Sequence, residues 1–171
     1  MKIIVAVDSN WGIGYDGELQ VRNKEDLKRF QELTTGHIVV LGSKTLDTFP
    51  SKLPLKNRIN IILDDKQENQ KVDNNYIVNS LDETIKVIKE LKNTYPEKEV
   101  YIVGGASVYK QFLDYSEEAI VTKWDYVKEA DAYFPNLSEL DNWEIYSEQN
   151  VKSDDGNFIV STYQNLETKM I

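Results

Sequence analysis

The stretch Tyr101-Ile102-Val103-Gly104-Gly105-Ala106-Ser107-Val108-Tyr109 constrains the fold of this chain more than any other. An apolar run of strand length meets two adjacent glycines and then residues of helical pattern. The backbone must therefore leave a buried strand through a tight turn and enter a helix, expected over residues 106–113. That helix would aim its unpaired first-turn N–H groups at the space beside the turn, which suits an anion such as a pyrophosphate. The third glycine of the G-x-G-x-x-G fingerprint is absent. Taken alone, the stretch reads equally as a nucleotide-binding turn or as a plain strand-to-helix turn.

The same alternation runs through most of the chain. Residues 2–7, 38–42, 58–63, 76–78, 100–103 and 119–124 read as strands. Residues 24–34 carry Leu27, Phe30 and Leu33 at helical spacing, and residues 81–91 carry Ile85, Ile88 and Leu91 likewise. A short helical turn is expected at 44–48, and a charged connection at 64–75. Residues 9–23 form a polar loop containing Gly12, Gly14 and Gly17, long enough in a compact domain to be functional. Phe134-Pro135 falls in a loop. In the tail, residues 143–151 and 158–166 flank Asp154-Asp155-Gly156, a hairpin signal. The expected fold is α/β: a single domain over 1–171, with a mostly parallel central sheet of about eight strands flanked by helices and an antiparallel C-terminal hairpin at one edge.

A length of 171 residues supports one domain with a substantial core. The net charge of −9 sets the chain against nucleic acid, whose phosphates it would repel, but leaves room for small anionic ligands beside local Lys or Arg. No apolar run reaches the length of a membrane span, and Asp8-Ser9-Asn10 interrupts the N-terminal apolar run too early for a signal peptide. There is no cysteine, so disulfides and thiolate chemistry are excluded, which is compatible with the cytoplasm. With His37 as the one histidine, read as a loop residue, no metal site is expected. A monomer is the default.

Asp26 lies at the start of the 24–34 helix, on the side that carries Phe30 and Leu33. It has two readings. Asn23 could be the N-cap, with Asp26 as the third-position acid of a capping-box-like pair. Alternatively its carboxylate faces inward, where it would need a hydrogen-bond donor or a cationic ligand.

Read together, the motifs resemble one family. Val5-Ala6-Val7, Asn10 through Leu19, Asp26-Leu27-Lys28-Arg29-Phe30, Gly42-Ser43-Lys44-Thr45, Leu53 through Leu63, Val103 through Tyr109, Thr122 and Phe134-Pro135 follow the order and spacing of dihydrofolate reductase over nearly the whole chain. The resemblance implies reduction of dihydrofolate to tetrahydrofolate with NADPH. It gives Asp26 the role of the pterin-pocket acid and Thr122 that of its support. Arg58 becomes the grip on the glutamate tail of folate. Pocket walls are implied at Ile4, Val5, Ala6, Leu27, Phe30, Phe49, Leu53 and Val103. Cofactor contacts are implied at Ala6, Ile13, Gly14, Lys44, Thr45, Leu63 and Gly105, Ala106, Ser107, Val108 and Tyr109, with a cis bond between Gly104 and Gly105. The pterin offers adjacent N–H donors that a carboxylate can accept as a pair. Asp26 would polarise the ring and favour its protonation, and the loop over residues 9–23 would be a lid over the nicotinamide.

Three departures stand out. The family usually has Pro-Trp where this chain has Gln20-Val21, and a proline near Lys24. After the 58–63 strand it often has Ser or Arg for the cofactor 2′-phosphate, where this chain has Asp64-Asp65-Lys66. Ser43, Lys44 and Asn79 are the candidates to offset that acid, and a weakened preference for NADPH over NADH is expected. Two other readings are a riboflavin-pathway reductase of the same fold, against which Asp26 and Arg58 speak, and a non-catalytic folate- or nucleotide-binding protein.

Overall fold

The computed structural model describes residues 1–19 and 23–171. The chain begins with β1 (Lys2–Val7), whose period of two puts Ile3, Val5 and Val7 in the core and leaves Ile4 and Ala6 half-buried on the other face. The following segment holds two short strands, β2 (Gly12–Tyr15) and β3 (Glu18–Leu19), joined at Asp16 (φ 50°) and Gly17 (φ 77°). Helix α1 (Lys24–Thr34) precedes β4 (Ile38–Gly42), α2 (Ser43–Asp47) and β5 (Ile59–Leu63). Then come β6 (Gln70–Val72), β7 (Asn75–Val78), α3 (Leu81–Thr94), β8 (Val100–Gly104) and α4 (Ala106–Phe112). The chain continues with β9 (Glu118–Trp124), β10 (Ala132–Tyr133), β11 (Trp143–Ser153) and β12 (Gly156–Asn165).

Nine strands form one sheet in the order β11-β12-β9-β1-β8-β4-β5-β7-β6, and β10-β2-β3 form a small second sheet. The strands from β9 to β7 pair in parallel. They are covered on both faces, so β4 reads Ile-Val-Val-Leu with all four side chains fully buried. One face packs Ile3, Val5, Ile38 and Ile102 against Ile88, Leu91 and Phe112 of the second half. The other packs Val39, Leu41, Ile62 and Tyr101 against Leu33 of α1 and Leu46 of α2. Helices α1 and α3 are capped as their sequences suggest. Asn23 accepts from the Asp26 N–H at 2.9 Å, and Ser80 accepts from the Glu83 N–H at 3.2 Å. His37 accepts from the Glu99 N–H through Nδ1 at 3.0 Å, a structural tie.

Two expectations need correction. The sheet has antiparallel strands at both edges, because the connection over 64–75 contains β6, paired antiparallel to β7. Its three residues are all exposed, so no apolar alternation marks it, and Asp73 at φ 56° makes the turn. The polar loop over 9–23 is partly strand, since β2 pairs with both β3 and β10. The nine strands of the large sheet agree with the expected number of about eight.

Candidate active site

Asn23 is the N-cap, and the Asp26 side chain takes the inward reading. The Asp26 backbone N–H is capped by Asn23, while its side chain turns toward the sheet. Oδ1 accepts a hydrogen bond from Thr122 Oγ1 at 2.7 Å, across 96 residues of sequence. Thr122 sits in β9, where it pairs with Ala6 of β1 and Val160 of β12, so the sheet fixes the donor. The Asp26 side chain is 26% exposed, and the Arg29 Nη1 lies 3.7 Å from Oδ1. Burial pushes the Asp26 carboxyl above its usual range, against the opposing pull of the Thr122 hydrogen bond and the Arg29 charge.

The expected pterin walls divide by strand face. Ile4, Phe49 and Val103 pack together on the α1 side of the sheet. Ala6 and Phe30 are half-buried, while Leu27 and Leu53 expose 56% and 61% of their surface, which marks an apolar surface open to a ligand. Val5 does not join them. Its side chain points through β1 into the opposite core and is 3% exposed. Arg58 is oriented from two sides: Nε donates to Thr34 Oγ1 at 2.9 Å and Nη1 donates to the Lys56 carbonyl at 2.7 Å. Its guanidinium lies 5.9 Å from the Phe30 ring centre.

A cavity of about 650 Å³ opens at the carboxyl ends of the parallel strands. Of the residues expected to meet the cofactor, Ile13, Gly14, Ser43, Lys44, Thr45, Leu63, Asn79, Gly105, Ala106, Ser107 and Val108 line it. Ala6, Gly104 and Tyr109 do not. Tyr109 is buried and donates through its hydroxyl to the Ile4 carbonyl at 2.7 Å, tying α4 to β1. Burial, with the Asp26 charge, pushes its hydroxyl pKa up, so it stays neutral. The Gly104–Gly105 bond is cis. Gly104 has φ 120°, and a Cβ there would meet the Tyr109 ring at 3.2–3.3 Å; one on Gly105 would meet Thr45 Oγ1 at 3.1 Å. The glycine pair is thus required by close approach on both sides.

Asp64 and Asp65 also line the cavity, next to Asn79 and Ser80. Asp64 accepts from Gln67 Nε2 at 2.7 Å and from the Lys66 N–H at 3.1 Å, and these bonds hold its carboxyl below the usual range. It is therefore a stable anion at one end of the site.

Two further acids went unnoticed in the sequence. Asp8 is fully buried and accepts from the N–H groups of Asn10, Gly12 and Lys128 at 2.9, 2.9 and 3.1 Å. Asp131 lines the cavity and accepts from the Asp16 N–H at 3.0 Å, while its own N–H donates to the Gly14 carbonyl at 3.0 Å. Together they pin the segment around β2, the expected lid, to the loop before β10. An acid five residues before the Ile13-Gly14 pair is a signal that a search for turn acceptors could have used. The departure at Gln20-Val21 lies outside the described residues.

Comparison with known proteins identifies the family. A family model described as dihydrofolate reductase matches residues 1–168. The viral dihydrofolate reductase of Saimiriine herpesvirus 2 is 34% identical over 158 residues, covering 86% of this chain and 74% of that protein. The Bos taurus dihydrofolate reductase is 34% identical over 150 residues, with coverage of 80% and 79%. The Bacillus subtilis dihydrofolate reductase is 29% identical over 157 residues, with coverage of 92% and 88%. The match runs through the whole nine-stranded sheet and through the helices that carry Asp26 and follow the glycine turn, and the chain belongs to the dihydrofolate reductase family.

Proposed function

We propose that this chain reduces 7,8-dihydrofolate to 5,6,7,8-tetrahydrofolate with NADPH, that Asp26 is its pterin-binding acid, and that Arg58 holds the folate tail. The observation that carries the reading is the 2.7 Å bond from Thr122 to Asp26 Oδ1 beside a half-buried apolar surface. An ionised carboxylate accepts at about four lone-pair positions. Thr122 uses one, which leaves acceptors on both oxygens for the adjacent N–H donors of a pterin. Ile4, Phe30, Phe49 and Val103 then supply flat apolar contact for the ring and exclude water from it. Arg58, with its guanidinium plane set by Thr34 and Lys56, suits a bidentate carboxylate.

The cavity fits a dinucleotide. The first-turn amides of α2 and α4 follow N-cap residues Gly42 and Gly105, which have no side-chain oxygen to satisfy them. Gly105 leaves open the space that a Cβ would fill beside Thr45. When bound there, the nicotinamide supplies the hydride. The reduction also consumes one proton at a pterin nitrogen, and Asp26, whose pKa burial raises above its usual range, is the ionisable group placed to favour that protonation. Ser43 and Lys44 favour the extra phosphate of NADPH, while Asp64 opposes it, so the preference over NADH is reduced.

Loss of absorbance at the NADPH band on adding dihydrofolate tests the reading. Turnover supports it. Tight binding of both ligands without turnover would instead favour a binding protein, and turnover with a riboflavin precursor alone would favour the other reductase class. The catalytic efficiency with NADPH should exceed that with NADH, and equal values would remove the stated preference.

A further inference from the structure

Arg29 is a charged side chain that the proposed reaction does not yet use. It lies one helical turn after Asp26, its side chain is 25% exposed, and its Nη1 is buried with no hydrogen-bond partner among the described residues. A buried guanidinium nitrogen left without an acceptor costs free energy unless a charge compensates it. The compensating charge is Asp26: Nη1 lies 3.7 Å from Oδ1, beyond hydrogen-bond length but within strong electrostatic reach. The other face of the group is closed by Phe158 of β12, whose ring centre is 5.5 Å from the guanidinium carbon. Phe158 is itself fixed, 2% exposed, against Trp124 of β9 at 4.6 Å between ring centres.

We infer that Arg29 is a positioning residue for the pterin-binding acid: wedged between the Asp26 carboxylate and the Phe158 ring, it holds Oδ1 on the Thr122 side and supplies the countercharge against which the acid exchanges its proton. Among the described residues, the other groups placed near Asp26 carry no competing charge. Thr122 of β9 is a neutral donor, Ala6 of β1 has no polar side chain, Phe158 of β12 is apolar, and Tyr109 of α4 stays neutral with its hydroxyl committed to Ile4. The direction follows from the sign of the charge. A neighbouring cation favours the ionised carboxylate. With the cation removed, Asp26 keeps its proton to higher pH, and the proton it shares with bound pterin is lost later in an alkaline titration.

The test rests on the dihydrofolate reductase reading for its kinetic arm only. Arg29→Met keeps the stem over Phe158 and removes the charge, and Arg29→Lys restores a cation. The pH profile of hydride transfer in Arg29→Met should have its alkaline limb displaced upward. The rate at pH 9 relative to pH 6 should rise by about tenfold, the ratio that one pH unit of displacement produces. Arg29→Lys should lie close to the parent, and in an Asp26→Asn background Arg29→Met should move nothing. An Arg29→Met profile that coincides with the parent, or a displacement that survives in Asp26→Asn, overturns the inference. The second arm needs no turnover: a carbon-13 NMR titration of the Asp26 carboxyl in the ligand-free chain should give a higher midpoint in Arg29→Met, or in Arg29→Gln should the methionine variant not fold. An unmoved midpoint overturns the inference even if the chain is an active reductase. A moved midpoint in a chain that does not reduce dihydrofolate upholds the Arg29–Asp26 coupling and defeats the functional reading alone.

Discussion

Thr122→Val isolates the hydrogen bond on which the site is built. Valine matches threonine in shape, so the change removes a hydroxyl and leaves no cavity at a residue that is 3% exposed. The bond that disappears is 2.7 Å long and ends on a carboxylate oxygen. Hydrogen bonds to charged groups contribute about 1.5–3 kcal/mol. Asp26 keeps about a quarter of its surface in water, so partial resolvation sets the loss near the lower limit, ~1.5 kcal/mol at pH 7. For a chain of this length that corresponds to a fall in Tm of roughly 3–6 °C. The loss depends on pH, and its sign is fixed. The Thr122 bond lowers the Asp26 pKa from what burial alone would impose, so the variant has the higher folded pKa. The stability difference is present in full above both folded values, shrinks as pH falls from the variant's value to the parent's, and is gone once both carboxyls are protonated. Urea unfolding at pH 7 and pH 4 reads it directly. No loss at pH 7, or an equal loss at both, would refute the argument that Thr122 acts on the ionised acid.

The remaining predictions concern the tail, the cofactor and the turn. Arg58→Leu should raise the Kd of folate by at least tenfold while leaving the cofactor Kd unchanged, the loss expected of a bidentate charged contact; unchanged folate affinity in a titration would remove its assigned grip. Asp64→Ser should raise the ratio of NADPH to NADH efficiency by roughly threefold at physiological salt, and by more at low ionic strength, because the deleted charge is exposed. A ratio that does not respond to salt or substitution would show that Asp64 does not face the 2′-phosphate. Gly105→Ala should cost about 1–2 kcal/mol in thermal unfolding through crowding of Thr45 Oγ1, and Thr45→Ala in the same chain should recover most of it; additive losses would show that the two do not touch.

The strands buried on both faces were legible from their apolar runs ending at turn residues: β4 and β8 carry four consecutive apolar residues, and β5 carries Ile61, Ile62 and Leu63 running up to Asp64. Helix α1 was legible from Asn23 and the spacing of Leu27, Phe30 and Leu33. Strands β2, β3, β6 and β10 were not, since their sequences are glycine-rich, polar or only two to four residues long, and pairing alone makes them strands. Val5 could have been placed correctly from its own strand. A period of two sends Ile4 and Ala6 to one face and Val5 to the other. Arg29 shows the opposite limit. Its spacing from Asp26 is visible in the sequence, but Phe158 joins them only through the pairing of β12 with β9.

That strand pairing also delivers Thr122 to Asp26, and on the proposed reading the acid so held governs protonation of the bound heterocycle. Single-turnover hydride transfer in the parent and in Asp26→Asn, followed from pH 5 to pH 9, tests it most directly. The amide keeps the shape of the carboxyl, so the variant should fold, with a rate at least about a hundredfold below the parent at pH 7 and a deficit that narrows toward pH 5 as solvent protonates the substrate. A variant that matches the parent across the whole range would contradict that reading and leave Asp26 as a first-turn residue of α1 and nothing more.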